Sequence, residues 1–150
     1  MDTRTIELST ADGPMPVYEA LPDDARGAVI VIQEAFGVNE HIEDVTRRVA
    51  DAGWHGVAPH IFHRAGGGIV TSRFPQLPPL VDEVATLKTP WLGLFGDLDE
   101  SIRVDDVERL RADLDTKATV AHGVVRYADA GHGFHCDMRD SFAPAAAKDA

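Results

Sequence analysis

Residues Ala28–Gln33 read Ala-Val-Ile-Val-Ile-Gln, an aliphatic run with no polar side chain until its end. A strand with one wetted face alternates apolar and polar residues. An unbroken run therefore implies burial on both faces, as in the interior of a parallel sheet. Parallel neighbours need a crossover, and the chain supplies one directly. Asn39 can cap a helix over Asn39–Gly53, in which Ile42, Val45 and Val49 recur at helical spacing and Gly53 provides the stop. Trp54–Ala58 is the next strand, closed by Pro59. Strand, helix and strand joined by short loops predict an α/β fold with a mostly parallel sheet flanked by helices.

The other segments extend this frame. Thr5–Pro22 reads as two short strands around Ala11-Asp12-Gly13-Pro14, an antiparallel N-terminal β-hairpin. Further along, Pro90–Gly96 predicts a strand, Val104–Leu114 a helix with Val104, Val107, Leu110 and Leu114 on one face, and Ala118–Tyr127 a strand. Phe142–Ala150 opens a last helix. Between the two ordered halves the pattern breaks. Residues 64–80 hold three glycines and three prolines and follow neither the helical nor the strand period.

Composition narrows the function classes. A chain of 150 residues accommodates one domain. The net charge of −11 repels phosphate backbones and anionic lipid, so neither nucleic acid nor a membrane surface is expected as a partner. No apolar run reaches the roughly 18 residues of a membrane span, and the first residues lack the basic and apolar regions of a secretory signal. The one cysteine, Cys136, excludes an internal disulfide and fits a reducing, cytoplasmic setting.

Ligands of open parallel sheets bind beyond the carboxyl ends of strands. Three such ends carry reactive side chains: Gln33-Glu34, Asp97–Glu100, and Gly131-His132-Gly133-Phe134. An acid after one strand and a histidine after the next follow the Ser/Cys…Asp…His order of the α/β-hydrolases. Either Asp97 or Asp99 can fill the acid's place. The alternative for both is a bland strand-end turn, and for His132 an idle loop histidine, although flanking glycines suit a tight turn that presents its side chain. Metal readings fare worse. Asp97, Asp99, Ser101, Asp105 and Glu108 match a calcium-loop spacing, but Ile102 stands where the sharp turn needs glycine and a strand precedes it. His55, His60 and His63 match no helical zinc pair. No metal is expected.

Four segments in order, Ala28–Gly37 (AVIVIQEAFG), Trp54–Arg64 (WHGVAPHIFHR), Gly93–Ile102 (GLFGDLDESI) and Tyr127–Phe134 (YADAGHGF), resemble the dienelactone hydrolase family. The resemblance implies a carboxylic ester hydrolase acting on ester or lactone bonds of a small molecule, with a carboxymethylenebutenolide as the emblematic substrate and no cofactor. It makes Asp99 the triad acid and His132 the triad base. Glu34 becomes the glutamate that pairs with the resting thiol, and Arg64 an arginine able to hold a substrate carboxylate. A backbone N–H of Ala35 or Phe36 supplies half of an oxyanion hole.

One departure matters more than these matches. The family's nucleophile elbow, Gly-x-Cys-x-Gly-Gly, belongs between the arginine and the acid strand, yet neither G-x-C-x-G nor G-x-S-x-G occurs anywhere in the chain. Cys136 comes after His132 and so falls outside the family's order; Ser72 lacks a preceding strand. Two βα units need roughly 60 residues, whereas only 25 separate Arg64 from Pro90. The expectation is a single, incomplete domain over 1–150 that lacks the central strand-helix region, with a junction near 65–68. Its activity is expected to be impaired. The alternative is a non-catalytic remnant or binding module of hydrolase ancestry.

Overall fold

A computed structural model describes residues 1–65 and 84–150. The junction expected near 65–68 runs into residues 66–83 and so lies outside the described residues, as does Ser72. The chain divides into two compact units, Met1–Pro75 and Gln76–Ala150.

In the first unit, β1 (Asp2–Thr10) and β2 (Gly13–Leu21) form the expected antiparallel hairpin, with Ile6 opposite Val17 and Thr10 opposite Gly13. The turn needs φ of +109° at Gly13, which only glycine adopts without strain. β3 (Ala28–Ile30) runs parallel to β4 (His55–Pro59), and α1 (Glu40–Asp51) makes the crossover between them. β4 also pairs antiparallel with β2, giving the order β1-β2-β4-β3.

The first sheet is therefore mixed, and the expectation of a mostly parallel sheet is corrected here. Two of its three pairings are antiparallel because the hairpin, which needs no crossover, docks directly on β4. The α/β class itself holds. A second correction concerns the aliphatic run. Only Ala28–Ile30 is strand, and it forms the sheet edge with Ile30 65% and Ile32 60% exposed. Among the described residues β4 is its neighbour on one side alone, and the exposure of Val29, Ile30 and Ile32 shows that the run is not buried on both faces.

Asn39 caps α1 as expected, its side-chain oxygen accepting from the Ile42 N–H at 3.1 Å. The buried stripe is Ile42, Thr46 and Ala50. It is rotated from the Val45 and Val49 face because the helix lies very close to β4 at Gly56, where an added Cβ would stand 2.8 Å from Thr46 Cγ2. The core of this unit gathers Tyr18, Ile42 and Ala58, with Val31 and Val38 packed against them.

The second unit is a strand–helix–strand: β5 (Trp91–Gly96), α2 (Val104–Lys117) and β6 (His122–Tyr127). β5 and β6 are parallel, with Phe95 beside Arg126 and Gly96 beside Tyr127. α2 buries Val107 and Leu114 and runs one turn past the sequence expectation. A short helix, α3 (Pro144–Asp149), lies near the C-terminus.

Candidate active site

The carboxyl ends of β5 and β6 come out side by side, and the loops beyond them are hydrogen-bonded to each other. The Asp97 N–H donates to Tyr127 O at 2.9 Å, and the Leu98 N–H to Ala130 O at 2.9 Å. Gly96 permits this approach: a Cβ there would lie 2.6 Å from the Ala130 carbonyl carbon and 2.9 Å from Gly131 O. Bare backbone thus meets bare backbone, and the two loops deliver Asp99 and His132 to one place.

There, His132 Nδ1 lies 2.8 Å from Asp99 Oδ2. The other carboxylate oxygen, Oδ1, accepts from the N–H groups of Ser101 at 2.7 Å and Ile102 at 3.0 Å. The Asp99 side chain is only 7% exposed, whereas His132 is 59% exposed. Burial pushes the Asp99 carboxyl upward, but the hydrogen bonds from His132 and the two backbone N–H groups outweigh it, and the group titrates below its ordinary range. An ionised carboxylate is an acceptor only, so the imidazole's Nδ1 carries the proton of this bond. Nε2, on the far side of the ring, is left as the proton-exchanging nitrogen. A cavity of about 280 Å³ opens over the pair, lined by Leu94, Phe95, Ile102 and Phe134 together with Asp99 and His132.

The rival acid is committed elsewhere. Arg126 forks both oxygens of Asp97, at 2.7 and 2.8 Å, and reaches Glu108 on α2 at 2.7 Å. Hydrogen bonding to Arg126 holds the Asp97 carboxyl below its usual range. Geometry therefore pairs Asp99, not Asp97, with the histidine. The same commitments remove both carboxylates from the calcium-loop spacing. Neither Arg126 nor Gly96 stood out in the sequence. The available signal was a lone arginine inside the otherwise uncharged strand His122–Tyr127.

The other expected site residues belong to the first unit, beyond the carboxyl ends of β3 and β4. Glu34 and Gly37 close a tight turn through Gly37 N–H to Glu34 O at 3.1 Å, with Gly37 at φ +82°. Ala35 and Phe36 are its tip, and Phe36 is 49% exposed. The preceding Gln33 is buried and ties this turn to the end of β4, its Oε1 accepting from the Ile61 N–H at 3.0 Å. Arg64 sits in the single helical turn His63–Ala65, exposed, with Nη1 3.3 Å from Asp12 Oδ2. Cys136 is buried in the turn after His132, its N–H donating to Gly133 O at 2.9 Å.

The profile of the dienelactone hydrolase family matches residues 15–78 and 68–150 in two blocks. A protein of Salmonella typhimurium, assigned as a carboxymethylenebutenolidase, is 30% identical, with 90% of this chain and 78% of that protein covered. Their alignment extends over 213 positions, so the relative carries many positions within the aligned span that a 150-residue chain does not. Among solved structures, one from Klebsiella pneumoniae assigned as a dienelactone hydrolase superposes with a TM-score of 0.80 at 26% identity, covering 99% of this chain and 95% of that one. The carboxylesterase Cest-2923 of Lactobacillus plantarum, at 12% identity and a TM-score of 0.64 over 98% and 93% of the two chains, shares the fold.

Proposed function

The chain belongs to the dienelactone hydrolase family, and on that premise we propose that it carries the proton-handling half of an ester- or lactone-hydrolysing site, in a form impaired by the absence of a nucleophile elbow. The observation that carries this reading is the bond of 2.8 Å between His132 Nδ1 and an Asp99 carboxylate held by two backbone N–H groups. Asp99 fixes the tautomer in which Nε2 has a lone pair and stabilises the imidazolium once Nε2 takes a proton. His132 then accepts the proton of an attacking group and returns it to the leaving oxygen. In the first unit, Glu34 is assigned to restrain a resting thiol, Arg64 to hold an anionic group of the substrate, and the Ala35–Phe36 turn to offer a backbone N–H to the developing oxyanion. The small-molecule substrate class is an ester or lactone of the carboxymethylenebutenolide kind, and the single cysteine supports a cytoplasmic setting.

A second reading, a non-catalytic remnant or binding module, is favoured by one observation: no G-x-C-x-G or G-x-S-x-G occurs in the sequence. Two measurements test these readings, and the second separates them. A covalent ester-directed probe is expected to leave the chain unlabelled; labelling abolished by Ser72→Ala or Cys136→Ala would overturn the impaired assignment. A chimera carrying a relative's central segment between Arg64 and Pro90 is expected to hydrolyse dienelactone and to lose at least about 1000-fold in kcat on His132→Ala. A folded, active chimera indifferent to His132→Ala would refute the role of the pair.

A further inference from the structure

The loop after β5 offers two carboxylates two residues apart, and the structure shows what separates them. Arg126 takes both oxygens of Asp97 through Nε and Nη2 and spends Nη1 on Glu108. Arg111 holds the same Glu108 at 3.1 Å and reaches back to Val124 O at 3.0 Å, tying α2 to β6. Two guanidinium groups thus balance two carboxylates. Arg126 is 29% and Asp97 23% exposed, so the pair is screened less than a surface ion pair.

We propose that Arg126 is a positioning residue for His132: by neutralising and anchoring Asp97 it leaves Asp99 as the carboxylate that sets the charge and tautomer of the imidazole. This rests on the reading of Asp99 and His132 as the acid–base pair and adds a residue to it. The electrostatic setting supports it. The cavity beside Asp99, about 440 Å³, is lined by Asp97, Glu100 and Asp105 against Arg103. Glu108 and Arg111 on α2 belong to the Arg126 network, and His135 shares the smaller cavity with His132. With Arg126 present, Asp97 contributes no net charge to this acidic neighbourhood. Without it, Asp97 becomes an unbalanced negative charge on the loop that carries Asp99, while Glu108 keeps Arg111.

The test is the NMR titration of the His132 ring in the intact chain, which needs no turnover. As a general magnitude, one unbalanced charge about 10 Å from a titrating group in a partly solvated setting is worth about half a pH unit. Arg126→Met is expected to raise the His132 pKa by about that amount. Arg126→Lys, which keeps the charge and loses the fork, is expected to stay near the starting value, and Asp97→Asn/Arg126→Met to return toward it. Asp97→Asn alone is expected to lower the His132 pKa. An unchanged titration in folded Arg126→Met, or equal shifts in the Met and Lys variants, would overturn the proposal. Should Arg126→Met fail to fold, Asp97→Asn decides by the sign of its shift, and no downward shift there counts against it. Asp99→Asn tests the underlying pair: if it leaves the His132 titration and tautomer unmoved, that reading fails, whereas a response to Asp99→Asn with none to Arg126→Met sinks this proposal alone.

Discussion

Replacing Gly96 by alanine adds a single methyl group at the tightest backbone approach beside the candidate site. Its Cβ would stand 2.6 Å from the Ala130 carbonyl carbon and 2.9 Å from Gly131 O. Non-bonded carbon atoms sit comfortably at about 3.5–4.0 Å, so the Ala130–Gly131 segment must retreat by about 1 Å. The obstacle is backbone on both sides, so no side-chain rotation relieves it. The retreat stretches the bond from the Leu98 N–H to Ala130 O, now 2.9 Å, and carries His132, the next residue, away from Asp99. Lengthening a bond of 2.8 Å by about 1 Å takes it out of hydrogen-bonding range.

Overpacking of this kind costs about 1–3 kcal/mol, which for a chain of this size lowers Tm by roughly 3–10 °C. Gly93→Ala is the control from the same strand. Its Cβ would crowd the Phe95 ring at 2.6 Å and the Trp91 ring, side chains that can swing aside. Both variants are expected to lose stability in thermal unfolding. Only Gly96→Ala is expected to change the His132 ring shifts toward those of an unpaired imidazole. Gly96→Ala with an unaltered His132 spectrum would refute the reasoning, because the backbone approach would then be unrelated to the pair.

Acid, a lost helix cap and an exposed edge strand each give a further expected outcome. Asp99's carboxyl titrates below its ordinary value, so the stability it contributes is present above the unfolded value near 4 and is lost as pH falls through the folded one; Tm is expected to decline below about pH 4, with a shallower decline in Asp99→Asn. Asn39→Ala removes the cap on α1 and is expected to cost about 1 kcal/mol in denaturant unfolding, and no measurable loss would show that Asn39's bond is not a stabilising cap. Ile30 stands 65% exposed on the edge strand β3, an invitation to intermolecular pairing; the chain is expected to self-associate in sedimentation velocity and Ile30→Lys to reduce this, while a monomeric starting protein would remove the premise.

The legibility of the sequence tracked the range of the interactions. Local signals were read well: the Ala11–Gly13 turn, the Asn39 cap, and the helix over Glu40–Asp51 each rest on contacts within a few residues. Partners distant in sequence were not legible. Periodicity makes Ala28–Gln33 a buried interior strand, yet burial depends on a neighbour that periodicity cannot supply, and the run ends as a short, exposed edge. The hairpin's docking on β4 is likewise a tertiary pairing that no window of sequence displays. For the site, residue type and order pointed to Asp99 and His132 but left Asp97 a contender. Arg126, 29 residues from Asp97, and His132, 33 residues from Asp99, separate the two carboxylates.

The geometry of the pair also explains how a chain without an elbow motif can keep it. Among the described residues, the contacts named for the bond between Asp99 and His132 lie between Trp91 and His132: the β5–β6 ladder, the Gly96 approach, the two N–H groups on Asp99 and the Arg126 fork on Asp97. None of these named contacts involves a described residue between Arg64 and Pro90, although the turn Val84–Thr86 packs against α2. The contacts named for the Asp99–His132 bond all lie within the β5–α2–β6 unit, so the bond by itself carries no information about a nucleophile. The two properties are physically separable. Titration of His132 therefore measures whether the pair is built, and turnover in the chimera measures whether it is used.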